Sequence, residues 1–421
     1  MKKMRLFLAN VAKSLFLLPQ VAPPLGLLSL AAYVRQKFDL EIQLVNQREE
    51  GGTLEEIAQR IITFRPDIVG LAALTPNAHL LKPLIALVRQ GLPDVFIVVG
   101  GPHVLTVGEK ILEETGADAA VYGEGERSLE ALLHVRAGNA TDMGDIPGLI
   151  WRDVKGIIIT NPGKTAIIEN LDELPFMAYD LIDMQKYWSK PSFTLIPRRR
   201  YISLMTTRGC PYGCAYCQHA LGRGFRAQSP ERVVDEIAYY VDKYKIEEVE
   251  FYDDVFNLIE KRVIDICDLL LRRNIKVKIS FPNGVRADMM TEKMLDALVA
   301  AGMDMCTYAL ETGSPRLQKF IGKNLNIERF QQSVEWTVKR GVFTHSFNML
   351  GFPTETEEEM RKTIDITCNL PLHAAAFFTV TPFPGTPLYN MVKELAPDKI
   401  PAIDYRDMEF ANIKVNVSTV P

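Results

Sequence analysis

The sequence predicts an α/β protein with two parallel-sheet domains: a Rossmann-like (flavodoxin-type) domain and then a partial, TIM-like (βα)6 barrel. Apolar strand-like runs alternate with helix-like segments five times in residues 1–140 and six times in residues 196–395. The strands are continuous apolar runs, as expected when helices cover both faces of a parallel sheet. A length of 421 residues suits two or three domains.

The first domain is predicted to span residues 1–140. Its strands are predicted at Arg5–Asn10, Glu41–Val45, Asp67–Leu74, Val95–Val99 and Ala119–Tyr122. Its helices are predicted at Leu27–Gln36, Leu54–Thr63, Ala78–Arg89 and Val107–Glu114. Ligands of such sheets bind outside the carboxyl ends of the strands. The residues expected at that edge are Asn10, Asn46, Thr75, Pro76, Asn77, Gly100, Gly101, Pro102, His103, Gly123, Glu124, Gly125 and Glu126.

A connector is predicted over residues 141–195. Gly148–Trp151 and Ile157–Thr160 flank a short polar turn, which predicts a β-hairpin. The rest of the connector is expected to be extended, because it has few helical signals and is interrupted by prolines.

The second domain is predicted over residues 196–395, with a short tail over residues 396–421. After a first strand at Tyr201–Thr207, strands are predicted at Glu248–Tyr252, Lys276–Phe281, Met305–Leu310, Thr344–Leu350 and Ala375–Val380. Helices are predicted at Pro230–Lys243, Ile259–Arg273, Glu292–Ala301, Ile327–Arg340 and Glu357–Asn369. The ends of the barrel strands are polar: they carry Asp253, Asp254, Asn257, Asn283, Arg286, Glu311 and Gly351. In barrels the carboxyl ends of the strands carry the active site.

Cys210, Cys214 and Cys217 form a C-x3-C-x2-C triplet that holds half of the six cysteines of the chain. Thiolates on one tight loop can converge on a soft metal centre. Three ligands without a neighbouring fourth cysteine predict a 4Fe–4S cluster with one open iron. A structural zinc site with His219 as its fourth ligand is the alternative.

The triplet, with the aromatic Tyr216 before its last cysteine, resembles the cluster loop of radical S-adenosylmethionine (SAM) enzymes. In that family the open iron binds SAM, and one electron cleaves SAM to a 5′-deoxyadenosyl radical. The resemblance implies that Asp253 or Asp254 holds the SAM amino group and that Arg286 contacts its carboxylate. It also implies that Glu311 binds the ribose, that the segment around Gly351 flanks adenine, and that Tyr216 belongs to the SAM site. No residue is assigned a catalytic role.

The first domain, placed before such a barrel, resembles the domain of cobalamin-binding radical SAM enzymes. The resemblance rests on the runs PPLGLLSLAAYVR, GGPH and YGEGE. It implies cobalamin contacts from Asn10, Thr75, Pro76, Asn77, Gly100, Gly101, His103, Gly123, Glu124 and Gly125. The D-x-H-x-x-G loop that supplies a lower cobalt ligand in many cobalamin domains is absent from the sequence.

Together these resemblances imply a cobalamin-dependent radical SAM methyltransferase that acts on an unactivated carbon. One alternative is a cobalamin-binding radical SAM cyclase or rearrangement enzyme, and another is a non-catalytic cobalamin- or metal-binding sensor. The expected partners are a small-molecule or lipid-like substrate and a one-electron donor such as flavodoxin or ferredoxin. Phe225, Tyr308, Phe347 and Phe377 are candidates for an apolar substrate pocket.

The composition is that of an ordinary globular protein, with 47% hydrophobic and 24% charged residues. A net charge of -4 gives no broad electrostatic argument for a nucleic-acid partner. No run reaches the ~20 apolar residues that would cross a membrane, and the first residues are expected to form a strand rather than a signal peptide. The expected compartment is a reducing cytoplasm.

Overall fold

The computed structural model describes residues 3–13, 19–139, 142–161, 167–196, 200–407 and 416–420. It confirms the predicted fold class: an α/β chain with a flavodoxin-type sheet followed by a six-stranded parallel barrel sheet. The chain divides into two compact units, Met1–Lys190 and Pro191–Pro421. The division falls inside the predicted connector.

The first unit contains a seven-stranded sheet. Its strands are β1 (Met4–Asn10), β2 (Leu40–Asn46), β3 (Ile68–Ala72), β4 (Phe96–Gly100), β5 (Ala119–Val121), β6 (Leu149–Arg152) and β7 (Ile158–Thr160). They lie in the order β2-β1-β3-β4-β5-β6-β7. The first five are parallel, in the order 2-1-3-4-5 of flavodoxin-like folds. The predicted hairpin forms β6 and β7, which extend this sheet in antiparallel fashion.

The helices of the first unit cover a core of aliphatic side chains from the strands and helices. They are α1 (Leu25–Val34), α2 (Gln47–Glu50), α3 (Leu54–Phe64), α4 (Leu81–Gly91), α5 (Pro102–Val107), α6 (Lys110–Thr115), α7 (Glu126–Arg136) and α8 (Met184–Trp188). Helix α3 begins with a capping box between Thr53 and Glu56, which satisfies two backbone N–H groups at its start. The predicted helix Val107–Glu114 is shortened to α6, and the preceding α5 ends at Val107 because Gly108 adopts a positive φ of 58°.

The second unit contains a six-stranded parallel sheet. Its strands are β8 (Tyr201–Leu204), β11 (Glu248–Phe251), β12 (Lys278–Val285), β13 (Met303–Glu311), β14 (Phe343–Leu350) and β15 (Ala374–Thr379). Two short strands, β9 (Thr207–Arg208) and β10 (Arg226–Ala227), form a separate antiparallel pair. The six barrel strands follow one another in sequence order across the sheet, as expected for a singly wound partial barrel.

Five of the helices of this unit agree with their predicted positions within two residues. The helices are α9 (Pro230–Tyr244), α10 (Glu260–Arg272), α11 (Glu292–Ala300), α12 (Pro315–Phe320), α13 (Ile327–Lys339), α14 (Glu357–Asn369) and α15 (Pro387–Leu395). Side-chain N-caps explain several helix starts, among them Ser229 of α9 and Thr356 of α14. Helices α12 and α15 were not predicted, because both are short and begin at a proline within an apparent turn.

The predicted tail lies partly outside the described residues. Within it, Val417 is buried in an apolar cluster of the second unit that also includes Ala215, Phe352 and Leu388. Among the helices that the structure describes, none is long and apolar enough to span a membrane.

Candidate cofactor sites

The three cysteines lie on a loop between β9 and β10, at the carboxyl end of the first barrel strand. Cys214 is buried, whereas Cys210 and Cys217 are partly exposed. The loop is fixed by its own backbone, because the N–H of Cys210 donates to Gly222 O at 3.2 Å. Gly209, with a φ of 81°, packs against the Gly224 carbonyl, where any Cβ would collide. Three thiols are therefore held on one short, rigid loop.

Two of these thiols contact each other. The pKa of Cys214 is lowered to about 6, chiefly by a hydrogen bond with the Cys217 thiol. The same hydrogen bond and burial raise the pKa of Cys217, and burial raises the pKa of Cys210. In the described parts of the chain, no three His, Cys, Asp or Glu side chains surround a point where one metal ion could bind. A 4Fe–4S cube binds each cysteine through a different iron and does not require such convergence.

Tyr216 joins the cysteine loop to the end of β13. Its hydroxyl donates to Glu311 Oε1 at 3.1 Å, and Lys323 Nζ lies 3.2 Å from the same carboxylate oxygen. Glu311 has a positive φ of 64° at an irregularity in the pairing of β13 with β14. A non-glycine residue in this conformation is uncommon and is held there by its surroundings. Two predicted SAM contacts, Tyr216 and Glu311, are thus brought together, with a buried lysine that the sequence did not indicate.

The structure separates the two aspartates that follow β11. Asp253 is buried, and its Oδ1 accepts hydrogen bonds at 2.9 Å from both the N–H and the hydroxyl of Thr206. Burial raises the pKa of Asp253, while the charge of Arg262 opposes the rise. Asp254 is exposed as a residue, yet partial desolvation of its carboxyl raises its pKa, and the carboxyl accepts a hydrogen bond from the backbone of Gly209, beside Cys210. Of the two candidates, Asp254 is therefore the one that faces the cysteine loop.

Arg286 lies at the same edge and is firmly held. Its Nε is 2.8 Å from Asp288 Oδ1, and its guanidinium carbon is 3.7 Å from the ring centroid of Tyr212 in the cysteine loop. Its backbone N–H donates to Asn257 Oδ1 at 3.1 Å, and Asn257 Nδ2 donates back to its carbonyl at 2.8 Å. Arg286, which was predicted to contact the SAM carboxylate, is thus already paired with Asp288 and stacked on Tyr212 of the cysteine loop.

Gly351 follows β14 with a φ of 98°. Glu355 Oε2 accepts hydrogen bonds from the N–H groups of Gly351, at 2.6 Å, and Phe352, at 3.0 Å. This carboxylate is fully buried and fixes the turn that was predicted to flank adenine. Glu355 and Lys323 were not among the residues predicted for this site. Only Glu355 had a local signal: it stands in the run GFPTET, directly before the N-cap Thr356 of α14.

The carboxyl edge of the first sheet is built differently. Asn10 ends β1 and donates from Nδ2 to Oδ1 of Asn46, the last residue of β2, at 2.9 Å. Asn77, which lies with Thr75 and Pro76 in a 3-10 turn after β3, accepts a hydrogen bond from the N–H of Lys13 at 3.3 Å. These neutral side chains join the loops that follow three neighbouring strands.

The glycines of this edge leave room or allow sharp turns. A Cβ on Gly100, the last residue of β4, would meet nothing within 4 Å, and Gly101 has a φ of 92°. Gly123 turns the chain after β5 with a φ of 96°. At Gly125 a glycine is favoured by helix packing, because a Cβ there would lie 3.0 Å from Leu30 of α1. Gly125 therefore serves helix packing, and Gly100 opens the edge.

Two predicted cobalamin contacts at this edge, His103 and Glu124, have buried side chains. His103 is buried, with Nδ1 3.4 Å from Thr75 Oγ1 and Nε2 3.2 Å from Glu114 Oε2. Burial lowers the pKa of His103, although Glu114 opposes the change. Glu124 is also buried, and its Oε2 accepts a hydrogen bond from the N–H of Ile168 at 3.1 Å. Both residues hold loops in place through these bonds.

Apolar side chains are nevertheless exposed at the same edge. Leu74 and Tyr122, which follow β3 and β5, are 48% and 42% exposed. Large exposed apolar groups beside glycines and neutral amides suit a bulky ligand bound by its shape.

In the second unit, Tyr308 was a candidate for lining an apolar substrate pocket. It is instead buried, with its hydroxyl 2.8 Å from Thr337 of α13, and belongs to the core.

Comparison with known proteins assigns both halves of the chain. The sequence profile of the Radical SAM superfamily matches residues 204–366, and that of the B12 binding domain matches residues 16–133. An uncharacterized methyltransferase of Pyrococcus horikoshii is 34% identical, over 87% of this chain and 78% of its own length. The cytidylyl-2-hydroxyethylphosphonate methyltransferase of Streptomyces wedmorensis is 27% identical, over 91% and 80%. The anaerobic magnesium-protoporphyrin IX monomethyl ester cyclase of Rubrivivax gelatinosus is 25% identical, over 92% and 69%.

Solved structures show the same fold. The radical SAM methyltransferase TsrM of Kitasatospora setae, with tryptophan and a SAM analogue, has a TM-score of 0.77 and 21% identity, over 93% of this chain and 76% of that one. The cobalamin-dependent SAM radical enzyme OxsB, with aqua-cobalamin and SAM, has a TM-score of 0.81 and 19% identity, over 100% and 65%. All of these proteins are named as enzymes, which agrees with the predicted enzyme and not with the sensor. The chain therefore belongs to the cobalamin-binding group of the radical SAM superfamily.

Proposed function

We propose that this chain is a cobalamin-dependent radical SAM methyltransferase that methylates an unactivated carbon of a small molecule. One observation carries the proposal: three thiols on one loop lie at the carboxyl edge of a six-stranded barrel sheet, in a chain whose first unit matches the B12 binding domain. The methyltransferase relatives and the whole-chain similarity to TsrM support the choice of reaction.

Cys210, Cys214 and Cys217 would hold the 4Fe–4S cluster. Their chemistry fits, because thiolates are the ligands of such clusters and the Cys214 thiol ionises at a lowered pKa of about 6. The loop leaves two of the three cysteines partly exposed, so iron can reach them. Cys214 is buried on the other side of the loop, where its neighbour Ala215 belongs to the same buried apolar cluster as Val417.

SAM would lie over the carboxyl edge of the same sheet. An ammonium group requires acceptors and a carboxylate requires donors. Asp254, exposed beside Cys210, supplies acceptors, and Arg286 supplies a fixed guanidinium. Glu311, held by Tyr216 and Lys323, would accept from the ribose hydroxyls, and the turn at Gly351 would flank the adenine.

Cobalamin would bind at the carboxyl edge of the first sheet. The space beside Gly100, the turns at Gly101 and Gly123, and the exposed Leu74 and Tyr122 fit a large planar ligand. His103 would support this edge through Thr75 and Glu114 and would not donate a ring nitrogen to cobalt. When bound, the three cofactors supply radical formation and the methyl group; the protein binds them, orients them and excludes water.

The test is anaerobic reconstitution of the full chain with iron, sulfide and cobalamin, followed by reduction with dithionite. The chain should bind four irons and one cobalamin, and it should form 5′-deoxyadenosine from SAM. With methyl-deuterated SAM and a small-molecule extract of the source organism, products should gain one labelled methyl group per molecule. An iron-free chain would refute the cluster site. Formation of 5′-deoxyadenosine without any labelled product would refute methyl transfer.

A cyclase is the second candidate, because the Rubrivivax gelatinosus relative that covers 92% of this chain is a ring-forming enzyme. The same incubation separates the two reactions. A cyclase product contains a new ring and carries no methyl label from SAM. An electron donor of the flavodoxin or ferredoxin class is part of either proposal and would replace dithionite in the same assay.

A further inference from the structure

A short turn between α12 and α13 is packed directly onto the cysteine loop. The N–H of Ala215 donates to the carbonyl of Ile321 at 2.7 Å. A Cβ on Gly322, which has a φ of 65°, would lie only 2.8 Å from the carbonyl oxygen of Gly213. Only a glycine allows this approach. The next residue, Lys323, is therefore held at a fixed position beside the cysteine loop.

Lys323 carries its charge into the interior. Its side chain is 9% exposed, and Nζ lies 3.2 Å from Glu311 Oε1 and 3.4 Å from the Tyr216 hydroxyl. Glu311 is almost equally buried, with a side chain that is 10% exposed. Removing two charges from water costs several kcal/mol per ion, and apolar residues often replace such pairs without loss of stability. A purpose other than stability is therefore the better explanation for this pair.

The pair contacts the cysteine loop through Tyr216, the residue that precedes Cys217. The Tyr216 hydroxyl donates to Glu311 Oε1 at 3.1 Å and lies 3.4 Å from Lys323 Nζ. The backbone of Gly322, directly before Lys323, meets the carbonyl of Gly213, directly before Cys214. Two opposite charges are thus fixed in the protein interior next to the loop that carries the thiols.

We propose that Lys323 raises the reduction potential of the cluster on Cys210, Cys214 and Cys217, and that Glu311 limits this rise. A cluster that accepts one electron becomes more negative by one charge, so a fixed cation nearby stabilises the reduced form. Local net charge and burial are among the properties that set cluster potentials. The inference rests on the cluster of the proposed function and does not depend on methyl transfer.

The test is a redox titration of the full chain, loaded with iron and sulfide and free of SAM. Dithionite is the titrant, and the electron paramagnetic resonance signal of the reduced cluster is the readout. Lys323→Met should lower the equilibrium constant for reduction about tenfold, which is 59 mV for a one-electron couple. Glu311→Gln removes the opposing charge and should shift the potential in the other direction. Lys323→Arg should restore the wild-type value.

Lys319→Met is the matched control, because Lys319 is an exposed lysine of the neighbouring α12. It should leave the potential unchanged. If Lys323→Met retains its iron and titrates at the wild-type potential, the proposal is wrong. If Lys323→Met fails to bind iron, Glu311→Gln decides: an unchanged or lower potential overturns the proposal. A wild-type chain without iron would refute the proposed function as well.

Discussion

The carboxyl edges of the two sheets carry different kinds of side chain. The barrel edge carries charged side chains in fixed pairs, such as Arg286 with Asp288 and Lys323 with Glu311. The edge of the first sheet carries neutral amides and glycines, and its one acid among the predicted contacts, Glu124, bonds to the backbone of Ile168. A small charged ligand needs the first kind of edge, whereas a large ligand bound by its shape needs the second.

The largest effect is expected at the cysteine loop, which lies at the carboxyl edge of the barrel sheet. Cys214→Ala removes the buried thiol of the triplet and should abolish cluster binding and 5′-deoxyadenosine formation, because a cube with two protein ligands is poorly held. Iron analysis and chromatographic detection of the nucleoside provide the measurements. Cys368→Ala, at an exposed cysteine of α14, is the control and should behave as the wild type. Full iron content in Cys214→Ala would mean that the loop is not the cluster site.

The second prediction separates the two adjacent aspartates of the charged edge. Asp253→Ala removes the acceptor of both Thr206 hydrogen bonds and should cost about 1–3 kcal/mol of stability, measured by urea unfolding. Asp254→Asn keeps the size of the side chain and removes a charge that desolvation and the neighbouring Asp253 disfavour, so it should not lower stability. It should instead weaken SAM binding by about 10- to 100-fold, the loss expected for one charge-assisted hydrogen bond.

Equilibrium dialysis of the iron-loaded protein with labelled SAM measures the SAM affinity of each variant and so distinguishes the roles of the two aspartates. If Asp253→Asn, which keeps an oxygen acceptor for Thr206, loses SAM affinity while Asp254→Asn does not, the roles of the two aspartates are reversed. In that case the buried Asp253, and not Asp254, would contact SAM.

The sequence predicted the elements better than the details of the site. Continuous apolar strands and amphipathic helices are local signals, and α9 was expected at Pro230–Lys243 and found at Pro230–Tyr244. The cysteine spacing is also local. In contrast, Lys323 is placed by the contact of Gly322 with Gly213, which lies more than a hundred residues earlier, and nothing in the sequence near Lys323 reveals that contact.

The two aspartates illustrate the same limit. The sequence named Asp253 and Asp254 as equal candidates, and only the fold shows that Thr206 and Arg262 bury the first of them. On the first sheet the glycines were predicted as a group. Their separate reasons, packing against Leu30 for Gly125 and open space for Gly100, depend on neighbours from other elements.

The third prediction concerns an acid inside the barrel sheet, below the charged edge. Burial raises the pKa of Glu250 from 4.5 to about 7, although the Ser203 hydroxyl donates to it at 3.1 Å. A raised pKa in the folded state means that stability is full below pH 4.5 and falls as the pH rises through 7. Glu250→Gln should remove this dependence and be more stable than the wild type by about 3 kcal/mol above pH 7.

Urea unfolding at several pH values from 5 to 8 provides the measurement, with Glu250→Gln and the wild type compared at each pH. The difference should be smallest at pH 5, grow up to about pH 7 and then level off. A constant difference would mean that Glu250 titrates normally and that the acid is hydrated. Glu357→Gln, at an exposed acid of α14, should show no such growth.

The smallest effect tests the neutral edge. Gly100→Leu places a side chain into space that is empty of protein atoms within 4 Å of the new Cβ, so stability should change little. The same side chain occupies the surface that a large ligand would cover, and cobalamin affinity should fall about tenfold, or 1.4 kcal/mol. Spectrophotometric titration with hydroxocobalamin measures this affinity. Ala137→Leu, an exposed position after the carboxyl end of α7, is the control. If Gly100→Leu binds cobalamin as the wild type does, the ligand does not cover β4, and the neutral edge has another role.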